Sequence, residues 1–172
     1  MRLNRCRGMT LIEMMIGLAV VGILLAGALP SYGVWMQNMQ SRSAAESLLS
    51  AMQLGRAEAV RRNTDIQVAL AGAAWTVTVV RTGEQIQAIG AGESSPTVAV
   101  SVMPAGASAV TFNSLGRVSP NTDGSDSIAQ VTVSSTALAA ADRRELRTDV
   151  GLGGTIRMCD LQAPSGDPRG CA

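Results

Sequence analysis

The chain has 172 residues, and its 14 basic side chains, all arginine, face 13 acidic ones for a formal net charge of +1. That balance argues against a broad electrostatic affinity for nucleic acid. Histidine is absent, which removes the commonest general base and metal ligand, so neither a metal nor a cofactor is expected.

Residues 1–8 form a leader that holds Arg2, Arg5 and Arg7. The 21 residues Met9–Leu29 then carry one charge, Glu13. At about 1.5 Å per residue such a helix is roughly 31 Å long, which matches a hydrocarbon core of about 30 Å. Arginines flank only its start and the next charge is Arg42, so the leader is expected on the cytoplasmic side, with the bulk of the chain across the membrane. An ordinary signal peptide would have a shorter apolar region before a small-x-small cleavage site. Ala26-Gly27-Ala28 offers one but leaves Glu13 unexplained. An acid within a membrane span is costly, and its default reading is functional.

Gly8-Met9-Thr10-Leu11-Ile12-Glu13 resembles the prepilin cleavage motif of type IV pilins and type II secretion pseudopilins. The resemblance implies that a prepilin peptidase cuts after Gly8 and methylates the new amino terminus at Met9, where the family mostly has phenylalanine. It implies an assembly role for Glu13, which would neutralise the terminal amine of a neighbouring subunit. Opposite charges attract strongly in a low-dielectric site and are costly when alone. It also puts Pro30 at the family's usual helix kink. Loss of the leader would leave 11 basic against 13 acidic residues, a net of −2.

Residues 30–63 read as an amphipathic continuation of the same helix. Met36, Met39, Ala44, Ala45, Leu48, Leu49, Met52, Ala59 and Val60 recur mostly at spacings of three and four and form one apolar stripe. Arg42, Glu46, Arg56, Arg61 and Arg62 fall mostly on the other side, with Glu58 and Arg62 at a helix-supporting spacing and Asn63 as the stop. The segment from Arg42 to Asn63 is similar to one shared by H-type pseudopilins and FimT-like minor pilins. Gly55 stands where the family usually has alanine, and only a small helix cost is expected from it.

Beyond Ile66 the pattern changes to short runs of period two. Strands are expected at Ile66–Leu70, Trp75–Arg81, Gln85–Ile89, Val98–Met103, Ala109–Phe112, Ile128–Ser134, Glu145–Val150 and Thr155–Cys159, with a hairpin turn at Thr82-Gly83-Glu84. The expected fold class is α+β: a pilin-like long helix, transmembrane in its first half, packed on an antiparallel β-sheet domain over residues 64–172. Phe112-Asn-Ser-Leu-Gly116-Arg117 resembles a turn of the same family, and a strand followed by a glycine-assisted turn also accounts for it.

Cys6 would leave with the leader, so Cys159 and Cys171 remain. In an oxidising compartment this pair is expected as a disulfide, worth about 3 kcal/mol in the chain-entropy model; two unpaired thiols are the alternative. Near it, Gly154-Thr155-Ile156-Arg157 resembles the Gly-Arg-x-Arg motif through which FimT-like minor pilins bind DNA. Arg157 matches the second arginine, and Thr155 stands in place of the first. Threonine can donate a hydrogen bond to phosphate but brings no charge. If the preceding stretch is a strand, Arg143, Glu145 and Arg147 share one face. Arg143, Arg147 and Arg157 then make either a basic edge or, with their acidic neighbours, a mixed solvated surface. No aromatic residue is interleaved for stacking on bases.

These readings converge on a non-enzymatic minor pilin of a type IV pilus, FimT-like, in the bacterial inner membrane with a periplasmic domain before it joins a filament. The alternatives are an H-type pseudopilin of type II secretion and a pilus-associated DNA receptor. The implied partners are prepilin peptidase, other pilins or pseudopilins, inner-membrane lipid before assembly and, in the receptor reading, double-stranded DNA.

Overall fold

The structure, a computed structural model, describes residues 10–93, 95–164 and 166–171, without the side chains of residues 27–30 and 91. The chain divides into two units, Met1–Met36 and Gln37–Ala172. One helix, α1 (Leu11–Arg62), begins in the first unit and ends in the second.

From Leu11 to Ala26 α1 is apolar apart from Glu13, and every residue of this stretch is exposed. A helix with no polar face has no partner of its own within the unit and requires an apolar surrounding. Among the described residues no single helix is long and apolar enough to cross a membrane. The segments Leu11–Ala26 and Ser31–Arg62 pass that test only as a pair broken at residues 27–30.

In the second unit the end of α1 lies on two antiparallel sheets. The first has the order β3-β2-β1-β5-β6, built from β1 (Ile66–Ala71), β2 (Ala74–Val79), β3 (Gln85–Ile89), β5 (Ala109–Phe112) and β6 (Val118–Ser119). The second has the order β4-β7-β8-β9, built from β4 (Val98–Met103), β7 (Gln130–Ser135), β8 (Leu146–Val150) and β9 (Ile156–Asp160). Period-two patterning puts Ile66 and Val68 of β1, Trp75 and Val77 of β2, and Val131 and Val133 of β7 into one core with Ala45, Leu48, Ala51 and Met52 of α1. The helix stops at Asn63, whose φ of 49° is the left-handed conformation of a helix terminus. Gly83, with φ 70°, turns the hairpin between β2 and β3, donating from its backbone N–H to the Val79 carbonyl at 2.8 Å.

Several details differ from the sequence reading. Met39 and Val60, counted in the apolar stripe, are exposed. Ile128 is buried but precedes its strand: its N–H donates to the Ala109 carbonyl of the first sheet, while Ala129 N–H donates to the Met103 carbonyl of the second. The backbone there changes sheets, which ends period-two pairing. Gly55 carries more than a helix cost. It is buried where α1 crosses β1, and a Cβ built on it would overlap Val68 Cγ2. The glycine lets helix and strand approach more closely than alanine allows.

Polar contacts hold the helix to the sheets at several levels. Asn38 Nδ2 donates to the Asp142 carbonyl and its Oδ1 accepts from Arg144 N–H, both at 2.8 Å. Trp75, buried, donates from Nε1 to Ser47 Oγ at 2.9 Å. Near the foot of the helix, Arg62 bridges Glu58 on its own helix at 2.7 Å and Glu84 beside the β2–β3 turn at 2.9 Å.

Candidate functional site

Two places were singled out by sequence: the start of the apolar helix and the C-terminal arginines. Gly8 and Met9, the expected processing site, lie outside the described residues, and so does the side chain of Pro30, the expected kink. Glu13 is described. Thr10 N–H and Thr10 Oγ1 donate to Glu13 Oε2 at 3.0 and 3.1 Å, and Glu13 N–H donates to Thr10 Oγ1 at 3.3 Å. Thr10-Leu-Ile-Glu13 is a reciprocal capping box that satisfies donors at the helix start. Sequence reasoning named Glu13 and missed Thr10, although Thr-x-x-Glu before an apolar run is the signal for it. Among the described residues the carboxylate is therefore held at the positive end of the helix dipole by neutral donors.

At the other end of the chain, β8 and β9 form a hairpin in which Asp149 pairs with Arg157 and Arg147 with Cys159. Leu146, Thr148 and Val150 alternate with Arg147 and Asp149, so the last two share a face with Arg157 and Cys159. Cys159 and Cys171 are joined by a disulfide with Cα atoms 4.9 Å apart. Arg147 Nε pairs with Asp149 Oδ1 at 2.9 Å on the same strand. β8 begins at Leu146, so Arg143 and Glu145 lie before it and strand alternation does not place them on that face. Glu145 N–H is taken by Gln162 Oε1 at 2.8 Å, and Arg143 pairs with Glu145 at 2.9 Å.

The basic edge envisaged for Arg143, Arg147 and Arg157 is thus a mixed surface. Arg144 and Arg169 are likewise bound to Asp160 and Asp167, at 3.1 and 2.7 Å. Hydrogen bonds from Arg169 hold the Asp167 carboxyl at about 2. Arg157 is different. It is exposed, donates from Nη2 to the Pro168 carbonyl at 3.0 Å, and makes no ion pair among the described residues. Arg56, Arg81 and Arg117 are likewise exposed and make no ion pair among the described residues.

Gly154 has a structural reason to be glycine. Its φ is +81°, and a Cβ there would overlap the carbonyl oxygen of Gly116, which itself accepts from Arg56 Nε at 3.2 Å. Asn113 sets up that second turn, its Oδ1 accepting from Leu115 and Arg117 N–H at 3.0 and 3.1 Å. Two loops and one helix arginine therefore meet at a single point, with Arg117 and the Gly154–Arg157 segment carried on them. Thr155 is exposed beside Gly154. An adjoining cleft of about 550 Å³ is lined by Gln53, Arg56, Ala57, Val60, Arg61 and Ile156. That lining offers cations and apolar surface but no nucleophile and no general base.

Residues 44–154 match the family model described as type II transport protein GspH, and residues 3–29 match the prokaryotic N-terminal methylation motif. The fold is similar to that of the type IV minor pilin FimU of Pseudomonas aeruginosa. In one crystal form the TM-score is 0.53 at 19% identity, covering 80% of this chain and 99% of that one. In another it is 0.50 at 20% identity, with coverage of 76% and 99%. It is also similar to the minor pseudopilin EpsH of the Vibrio cholerae type 2 secretion system, with a TM-score of 0.50 at 15% identity over 72% of this chain and 99% of that one. No curated protein matches the sequence. The family model spans well over half of the chain, and it ends at Gly154, the glycine packed on Gly116. With a methylation motif ahead of it and a pilin fold built on it, the chain belongs to the GspH family.

Proposed function

We propose that this member of the GspH family is a minor pilin, a structural subunit rather than an enzyme, built into a type IV pilus. The observation that carries the reading is the capped carboxylate at the head of the apolar helix, just downstream of a prepilin-type glycine. Before assembly the helix lies in the inner membrane, with the amino terminus cytoplasmic and the β domain periplasmic. Prepilin peptidase cuts after Gly8 and methylates Met9. On assembly the helix enters the filament core, and Glu13 exchanges the neutral donors of Thr10 for the charged amine of a neighbouring subunit. A charge-assisted bond in a dry site is stronger than the neutral ones it replaces. Glu13→Ala should leave the subunit in the membrane while lowering its share in filaments; unchanged incorporation would remove the role of Glu13. An H-type pseudopilin of type II secretion is the alternative, and deletion of each machinery's other subunits distinguishes them by which loss strands this chain in the membrane.

A second reading, contact with double-stranded DNA, is favoured by one observation: Arg157 is exposed and makes no ion pair among the described residues, so its charge is available to a phosphate. Thr155 and Gly154 accompany it as the rest of the partial motif. Arg147 and Arg143, engaged with Asp149 and Glu145, contribute less.

A further inference from the structure

The chain has four aromatic residues, and they divide sharply. Trp75 and Phe112 are in the core of the second unit, 4% and 0% exposed. Tyr32 and Trp35 lie on α1 in the first unit, 56% and 55% exposed, with ring centroids 5.8 Å apart. The polar handles differ as sharply. The indole N–H of Trp75 is satisfied by Ser47. Neither the indole N–H of Trp35 nor the hydroxyl of Tyr32 makes a hydrogen bond among the described residues. Each ring thus presents an apolar body and an unused polar tip on an unpartnered helix face, the combination that suits a boundary between hydrocarbon and water.

Their position along the helix fits that boundary. Tyr32 and Trp35 are about 32 and 36 Å of helix from Leu11, at roughly 1.5 Å per residue. A hydrocarbon core is about 30 Å thick and the bilayer with its headgroups about 40–45 Å. Measured along the helix, the rings therefore fall at or just past the far edge of the core, where the headgroup layer of the far leaflet begins. The chain around them changes character at the same level. Residues 11–26 are apolar and exposed, whereas Gln37, Asn38 and Gln40 beyond Trp35 already bond to the β domain.

We propose that the Tyr32–Trp35 pair is a lipid-interface anchor, which fixes the depth of the unassembled subunit by seating both rings in the headgroup layer on the side of the β domain. The proposal rests on the reading of α1 as a membrane anchor. It assigns the lipid interface as the occupant of this face because the rings are continuous with the apolar segment and their polar tips are left to headgroups and water.

The test uses the full chain reconstituted in phosphatidylethanolamine–phosphatidylglycerol vesicles. The signal of Trp35 is the difference in fluorescence between the native chain and Trp35→Phe, which leaves the core Trp75 untouched. A fluorophore on Leu18→Cys, in a chain carrying Cys6→Ser and the intact Cys159–Cys171 disulfide, reports insertion of the helix independently. The expected result is a Trp35 emission shifted to shorter wavelength than in water and quenched more by lipids brominated near the glycerol than near the chain ends. The Leu18→Cys probe should be quenched most by the deep label. If that probe is quenched but Trp35 emits as in water, or is quenched most by the deep label, the anchor stands and the interface assignment is overturned. If neither reporter is quenched, the membrane reading fails and the inference fails with it.

Discussion

Gly154 approaches Gly116 so closely that a Cβ on the first would overlap the carbonyl oxygen of the second. The contact fastens the turn before β9 to the turn after β5, and so joins the two sheets at the end where α1 finishes. The glycine of the Gly154–Arg157 segment is thus explained by packing alone, without a ligand role.

Gly154→Ala forces a side chain onto a left-handed backbone and into that carbonyl. It should destabilise the second unit by about 2–4 kcal/mol. Denaturant unfolding of the detergent-solubilised chain measures this, and a change within experimental error would show that the two turns do not depend on each other.

Gly55→Ala separates two opposing effects. Helix propensity alone would favour alanine by about 1 kcal/mol. Overlap with Val68 Cγ2 opposes it, and overpacking of a tight core costs about 1–3 kcal/mol. The predicted outcome is net destabilisation, partly relieved by adding Val68→Ala; a more stable single variant would mean that the helix moves away from β1 freely.

Glu58 supplies a pH dependence. Hydrogen bonds from Arg61, then Arg62, hold its carboxyl at about 2, below its ordinary 4.5. A group whose folded pKa is depressed contributes stability that is present above the ordinary value and lost as pH falls toward the folded one. Stability should therefore decline between about pH 4.5 and 2, and Glu58→Gln should flatten that part of the curve. An identical slope in the variant would assign the acid sensitivity to other carboxylates.

For DNA, the ion pairs make a graded forecast. Arg157→Ala should weaken binding and lower the salt slope by about one unit, whereas Arg147→Ala, whose charge is already met by Asp149, should lower it less. Binding measured against salt concentration distinguishes them. Equal slopes for the native chain and Arg157→Ala would rule out a phosphate contact by this residue.

Much of this architecture is legible in the sequence because long periodic signals survive tertiary packing. The stripe of α1 and the alternation of β1, β2, β4 and β7 are of that kind. The two-residue β6 is too short to show a period, and Ile128 is buried by a change of sheet rather than by strand pairing. The start of β8 at Leu146 depends on Gln162 reaching the Glu145 amide, a partner 17 residues away. Gly55 and Gly154 look alike in sequence to any helix or turn glycine. Their meaning lies in Val68 and Gly116, which only the fold brings near. At the candidate site, the charges of Arg143 and Arg147 are written in the sequence, but their neutralisation by Glu145 and Asp149 is decided by backbone geometry.

The central claim, that this chain is a processed pilin-type subunit, is tested most directly by mass spectrometry of the protein from the membrane fraction. The account predicts a chain that begins at Met9, lacks residues 1–8 and carries one additional methyl group on its terminal amine. A chain that retains the leader, or that is cut after Ala28 as an ordinary signal peptide would be, would contradict it.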